Sequence, residues 1–232
     1  MLLRVTSVTT QRSLWIVFCL WSAVCLPHQG CINALVMAGK VMLGDPMQTS
    51  AFEMATGINL KKDEKTVLVH CTSPSLLTDE FGSLNGDIQV ELLRRMKRQG
   101  INTLSPDKVS EVLDHYGGTF DPKLLVRELD EPVDYIMHIQ LETFSYESPE
   151  SPDLYHGNAS GTVTGYEVRG EGDDKHVVQV FDQSFTVVYP TTHPVPRDRT
   201  PEKVFFRRFV DRVTDTLGTS FYDVRTAELF AN

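Results

Sequence analysis

His70 and Cys71 close the apolar, β-branched run TVLVHC and are followed by TSPSLLT. A strand that ends in His-Cys and enters a loop is a layout suited to cysteine-dependent hydrolysis of phosphate esters. There the thiolate attacks phosphorus, backbone amides cradle the anion, and an Arg six residues beyond the Cys holds the transition state. Leu77 stands at that Arg position, and Pro74 replaces a loop glycine. Without the bidentate Arg the main transition-state contact is missing, so Cys71 reads as a small residue at a strand end. The seven histidines are scattered and form no HxH or HExxH pair, and the cysteines form no CxxC pair. A metal site would need residues gathered from distant parts of the chain. His138 alternates with apolar neighbours and reads as a hydrogen-bonded sheet residue. No GxSxG elbow, GxGxxG or GxxxxGK is present, and GEGDD is a turn with the wrong charge for phosphate. The sequence therefore assigns no catalytic residue, no metal and no cofactor, and the expectation is a protein that is not an enzyme.

Arg94, Arg95, Lys97 and Arg98 form the basic cluster in the body of the chain. Two readings stand. One is a solvated helix end favoured by the helix dipole. The other is a contact patch for anionic lipid headgroups or an acidic partner. Phe144, Tyr146, Tyr155 and Tyr166 read as core, with a partner groove along a sheet edge as the sharper alternative.

The elements that must position these residues are legible from periodicity. The run 66–71 predicts a buried strand. In IQVELLRRMKRQG, Ile88, Leu92 and Met96 recur every four residues and Gly100 stops the helix. INTL, 101–104, predicts a short strand. Ser105-Pro106-Asp107 predicts a capped helix start, with Val109, Val112 and Leu113 on its apolar face. Asp121-Pro122 opens a further short helix. In VDYIMHIQLETFSY, Tyr135, Met137, Ile139 and Leu141 alternate with His138, Gln140 and Glu142, and the phase flips at Phe144 and Tyr146, which predicts a bulge. NASGTVTGYEV, weakened by Gly161 and Gly165, and KHVVQVFDQSFTVVY complete an antiparallel meander. Thr200-Pro201-Glu202 predicts the start of a last helix, reaching about 222, with Phe205, Phe209, Val213, Leu217 and Phe221 as its stripe. The order β-α-β-α-α-β-β-β-α predicts one α/β domain with a mixed sheet and helices on at least one face.

Composition bounds the rest. The chain has 232 residues, 41% hydrophobic and 23% charged, which excludes a disordered, collagen-like or multi-span membrane protein. With 22 basic and 31 acidic residues the net charge is -9, a poor match to nucleic-acid phosphates, so no nucleic-acid partner is expected. No Asp or Glu precedes Asp45. Arg4 and Arg12 precede the apolar run 14–26, which is shorter than the roughly 20 residues of a bilayer span. A positive start, a short apolar stretch and small residues after it describe a secretory signal; an uncleaved signal anchor and a buried core helix are the alternatives. Cys19 and Cys25 would leave with the signal. Cys71 would then have no disulfide partner if Cys31 is lipidated.

Gly30-Cys31 resembles the end of the lipobox, where bacterial lipoproteins are cut before a Cys that is then acylated. His28 and Gln29 depart from that motif, and Cys25 in SAVC offers a second place for it. With this GC site, the strand TVLVHCTSP, the helix VELLRRMKRQG, the strand INTL, the long strands DYIMHIQLETFSY and SGTVTGYEV and the closing helix, the chain resembles an uncharacterised lipoprotein-like family of planctomycete-type bacteria. More distantly, in architecture, it is similar to the α/β domains of the curli-secretion lipoprotein and the amino-terminal TolB domain. For that wider group the resemblance implies a periplasmic domain acting in envelope assembly through protein contacts. Architecture by itself does not transfer function. The expected organisation is a signal peptide at 1–30, a tether with a short apolar helix at 31–63, an α/β domain at 64–226 and a tail at 227–232. Cleavage after Gly30 and lipidation of Cys31 would hold the protein on the periplasmic face of a membrane; a signal-anchored or free periplasmic protein is the alternative. The partners expected are envelope proteins and the membrane, through the N-terminal lipid, with a homo-oligomer as a further option. Two other functions stand beside a non-enzymatic binding protein. One is an enzyme or small-ligand receptor with a dispersed site including His138 and Glu142. The other is a structural envelope protein that oligomerises through its sheet edge.

Overall fold

A computed structural model describes residues 46–148 and 151–226. The expected signal peptide, the lipidation site at Cys31, the apolar helix before Asp45 and the tail lie outside the described residues. Residues 48–224 form one unit, and 46–47 and 225–226 belong to another, where the Thr226 amide donates to the Pro46 carbonyl.

The unit runs α1 (Ala51–Thr56), β1 (Thr66–Thr72), α2 (Ser75–Glu80), α3 (Leu84–Arg98), β2 (Asn102–Thr103), α4 (Pro106–His115), α5 (Pro122–Glu128), β3 (Tyr135–Ser148), β4 (Ser151–Arg169), β5 (His176–Tyr189), β6 (Val195–Pro196) and α6 (Glu202–Phe221). The predicted order is present, with α1, α2 and β6 added to it. The mixed sheet has the order β2-β1-β3-β4-β5, with β6 beside β4. β1 pairs in parallel with β2 and β3, and β3, β4 and β5 form the antiparallel meander.

Alternation along β1 and β3 gives the sheet two apolar faces where helices cover both sides. Val67, Val69, Cys71, Tyr135, Met137, Ile139 and Leu141 face a core completed by Phe52, Leu92, Met96, Phe205 and Phe209, from α1, α3 and α6. Leu68 and Ile136 face a second cluster with Val109 and Leu113 of α4 and Leu125 and Val126 of α5. The stripe Phe205, Phe209, Val213, Leu217 and Phe221 is fully buried, as its spacing demands.

The stretch 48–63, read from sequence as part of a tether, contributes to this core through Phe52 and Leu60. Its helix is short but closed at both ends. The Ser50 hydroxyl accepts from the Glu53 amide, and Gly57 ends it at φ 75°. Helix starts elsewhere depart from the expected caps. The Ser105 hydroxyl makes no capping bond, and Thr200 lies outside α6, whose capping position is the extended Pro201. Asp121 does cap α5, accepting from the Lys123 amide.

The phase flip in β3 comes from register shifts between Leu141 and Thr143 and between Ser145 and Glu147. The first carries Phe144 back to the core side, where it stacks on Phe209 at 4.7 Å. Glycines of β4, which the sequence suggested only as weak points, are seats for aromatic rings. A side chain at Gly157 would meet the Phe209 ring at 2.8 Å, and one at Gly161 would meet the Gln140 carbonyl and the Phe185 ring.

Candidate functional site

The basic cluster lies on the last turns of α3, beside α6. Its four residues do not act alike. Arg95 is half-buried and ties the helices together: its guanidinium donates to Glu91 at 2.8 Å, to Asp215, and at 3.4 Å to Asp211. Arg94 also binds Glu91, Arg98 reaches the same carboxylate at 3.9 Å, and Lys97 is exposed. Burial alone would raise the Glu91 carboxyl, but hydrogen bonds from Arg94 and Arg95 hold it below the ordinary carboxylate range. Glu91 thus stays ionised and fixes the direction of three arginines.

Arg94 forms one wall of a groove of about 520 Å³ between α3 and α6. Val90, Phe206 and Val210 supply its apolar surface, and Asp87, Glu91, Arg207 and Asp211 its charged margins. Val90 is 57% exposed. The sequence carried a signal for this groove that the four-residue stripes obscured. Phe206 and Val210 form a second apolar row beside Phe205 and Phe209, wider than the sheet can cover, and Val90 lies outside the Ile88, Leu92, Met96 row. Together α3 and α6 carry eight basic and five acidic side chains. In a chain of net charge -9 this layer is locally basic. Such a surface can bury apolar side chains of a ligand while its arginines meet carboxylates.

The sheet's other face carries a histidine pair. His70 and His138 are register partners on β1 and β3. Phe120, from the loop between α4 and α5, stacks on His138 at 3.9 Å and on His70 at 5.3 Å. The Thr72 hydroxyl lies 2.8 Å from His138 Nε2. Burial pushes the His138 imidazole down to about 4, and the neighbouring His70 acts in the same direction; burial also lowers His70. Both rings are therefore neutral at physiological pH. Glu142 is exposed on the same strand and accepts from the Thr162 hydroxyl at 3.3 Å. His138 is covered by Phe120 while Glu142 faces solvent, so the two are differently placed with respect to any ligand.

Cys71 is buried, and burial pushes its thiol up to about 12. It is a protonated core group rather than a thiolate nucleophile. Leu77, at the position where phosphate chemistry needs an Arg, packs against the main core. Gln89 of α3 fixes this end of β1: its amide donates to the Val69 carbonyl at 3.0 Å and accepts from the Cys71 amide at 3.4 Å. It takes the place of a neighbouring strand where β2 has ended. Among the described residues no cluster of three or more His, Cys, Asp or Glu is arranged to hold a metal ion. Among the same residues, no helix is long and apolar enough to cross a membrane.

No family model matches the chain, and no curated protein matches it. Solved structures do. The chain is similar to the hypothetical protein CT253 from Chlamydia trachomatis, with 11% identity and a TM-score of 0.44 over 68% of this chain and 97% of that one. It is similar to the PelC dodecamer from Paraburkholderia phytofirmans, with 9% identity and a TM-score of 0.40 over 76% of this chain and 96% of that one. It is also similar to lipoprotein GNA1162 from Neisseria meningitidis, with 11% identity and a TM-score of 0.34 over 67% and 99%.

Proposed function

We propose that this is a non-enzymatic envelope protein: exported, anchored through a lipid on Cys31, and of the planctomycete lipoprotein-like kind. Its α/β domain binds another envelope protein. The α3–α6 groove is the observation that carries the binding part of this reading. An apolar strip of Val90 and Phe206, flanked by Arg94 and Arg207 and by Asp87, Glu91 and Asp211, suits an amphipathic helix whose apolar side chains enter the groove and whose charged residues meet margins of both signs. The occupant proposed is therefore an amphipathic segment of the partner that carries both signs of charge on its polar side. The GC site and the signal-like start support the location.

Two measurements test it. Intact mass of the membrane-extracted protein, beside a Cys31→Ala variant, is expected to give a chain beginning at Cys31 with added acyl mass; an unmodified chain would remove the anchor. A photo-reactive residue at Val90, in producing cells, is expected to give one discrete adduct, lost when Arg94→Glu and Arg207→Glu are combined. An adduct that persists through the charge reversal would sink the groove as the binding site, and so would a yield no higher than that from exposed Lys123. A turnover activity lost on Cys71→Ala or His138→Ala would overturn the non-enzymatic reading.

A further inference from the structure

β5 ends the antiparallel side of the sheet. Among the described residues it pairs with β4 along one side, and no backbone group of His176–Tyr189 bonds to any other element. A row of unpaired N–H and C=O groups accepts another strand unless charge, proline, a bulge or a covering segment blocks it. His176–Tyr189 contains no Lys, Arg or Pro. Its single irregularity is at Val180, which has no partner where the register passes from Gly165–Phe181 to Tyr166–Gln179. From 181 to 189 the register is unbroken, and Pro190 follows. Phe185 is the middle residue of that stretch.

We propose that two copies of this chain join along this edge, β5 antiparallel to β5 of the second copy, about a two-fold axis at Phe185. The parity of the strand selects this register. Phe181, Phe185 and Val187 face the core, and Asp182, Ser184, Thr186 and Val188 face solvent. A symmetric pairing keeps both sets on their own sides only when a residue, rather than a gap between residues, lies on the axis. Phe185 is the one residue that also lets the whole regular stretch pair. The side chains then meet in pairs that match in type at the centre and at the ends of the stretch. On the core side Phe185 meets its copy, Phe181 meets Tyr189 and exposed Gln183 meets Val187. On the polar side Ser184 meets Thr186, and Asp182 meets Val188. Aromatic and hydroxyl cross-strand pairs stabilise such ladders, and no like charges are opposed. The edge thus matches itself in hydrogen bonding and length, and in side-chain type at its centre and ends. That argues for a second copy rather than for an unrelated strand.

The register makes a charge-specific test available. Val188 is 37% exposed, so the folded chain tolerates a charge there. In the dimer, Val188→Glu sets a carboxylate opposite Asp182 of the second copy, twice per dimer, whereas Val188→Lys sets an ammonium there. Sedimentation equilibrium of the full chain in detergent is expected to show a dimer. Val188→Glu should raise its dissociation constant about tenfold. Val188→Lys should leave it unchanged or lower it, and Asp182→Lys combined with Val188→Glu should restore it. Circular dichroism spectra of the variants should match the parent. A monomer at every concentration would overturn the proposal, as would a dimer indifferent to the charge at Val188 or one weakened equally by Glu and Lys. The pairing does not use the α3–α6 groove, so Val188→Glu is expected to leave Val90 cross-linking intact.

Discussion

Acid should destabilise this fold through its histidine pair before it acts through its carboxylates. In the folded chain His138 titrates at about 4, against an ordinary 6.5. Each pH unit of depression corresponds to about 1.36 kcal/mol, giving about 3 kcal/mol for a ring wholly shielded from water. His138 is only half-buried, and screening by solvent reduces the figure to about 2 kcal/mol. The sign follows from linkage. The folded pKa lies below the unfolded one, so the unfolded chain takes up the proton first as pH falls. The full stability is present above about pH 6.5 and is lost as pH drops from there toward about 4. His70, lowered by burial, adds in the same direction. Glu91 is lowered from 4.5 and loses its share only below that pH, so the two windows separate. Urea unfolding of the full chain at pH 7.5, 6, 5 and 4.5 would follow the loss. His138→Gln keeps a polar partner for the Thr72 hydroxyl and removes the titration. The unfolding free energy of the parent is expected to fall by about 2 kcal/mol more than that of the variant over this range. A His138 Cε1 proton titrating near 6.5 by NMR, or parallel free-energy curves for parent and variant, would refute the reasoning.

Replacing Gln89 by Leu leaves the Val69 carbonyl and the Cys71 amide without their partner. Urea unfolding should show a loss of about 1–3 kcal/mol. Alanine at two glycines should have opposite effects in thermal melts. Gly161→Ala drives a methyl group into the Gln140 carbonyl and the Phe185 ring and should cost about 1–3 kcal/mol. Gly86→Ala meets nothing within 4 Å on α3 and should raise stability by up to about 1 kcal/mol.

Much of the fold was legible because its signals are local. The four-residue rows of α3 and α6, the alternation in β3 with its flip at Phe144, and the Asp121-Pro122 start all reappear at the expected places. Short-range signals misled where a long-range contact outweighed them. The segment 48–63 has breakers and charges typical of a linker, yet Phe52 reaches Tyr135 at 5.2 Å and Phe181 at 5.6 Å. Its helix has six residues, too few to form on propensity alone, so packing holds it. The candidate site was half legible. The basic cluster stood out by composition, but Asp211 and Asp215, which claim Arg95, lie more than a hundred positions along the chain.

By itself the sequence determined the alternation of strands and helices, the apolar rows and the absence of a recognisable catalytic motif, because each depends on residues a turn or two apart. Tertiary structure decided which rows were fully covered. It left Val90 and Phe206 at a groove because α6 has more apolar surface than the sheet can bury. It closed Phe120 over two histidines, which are neutral for that reason. It also placed β5, rather than β3 or β4, at an edge of the sheet among the described residues. Strand order and burial are set by contacts between distant segments, and the sequence does not encode those contacts in any short window.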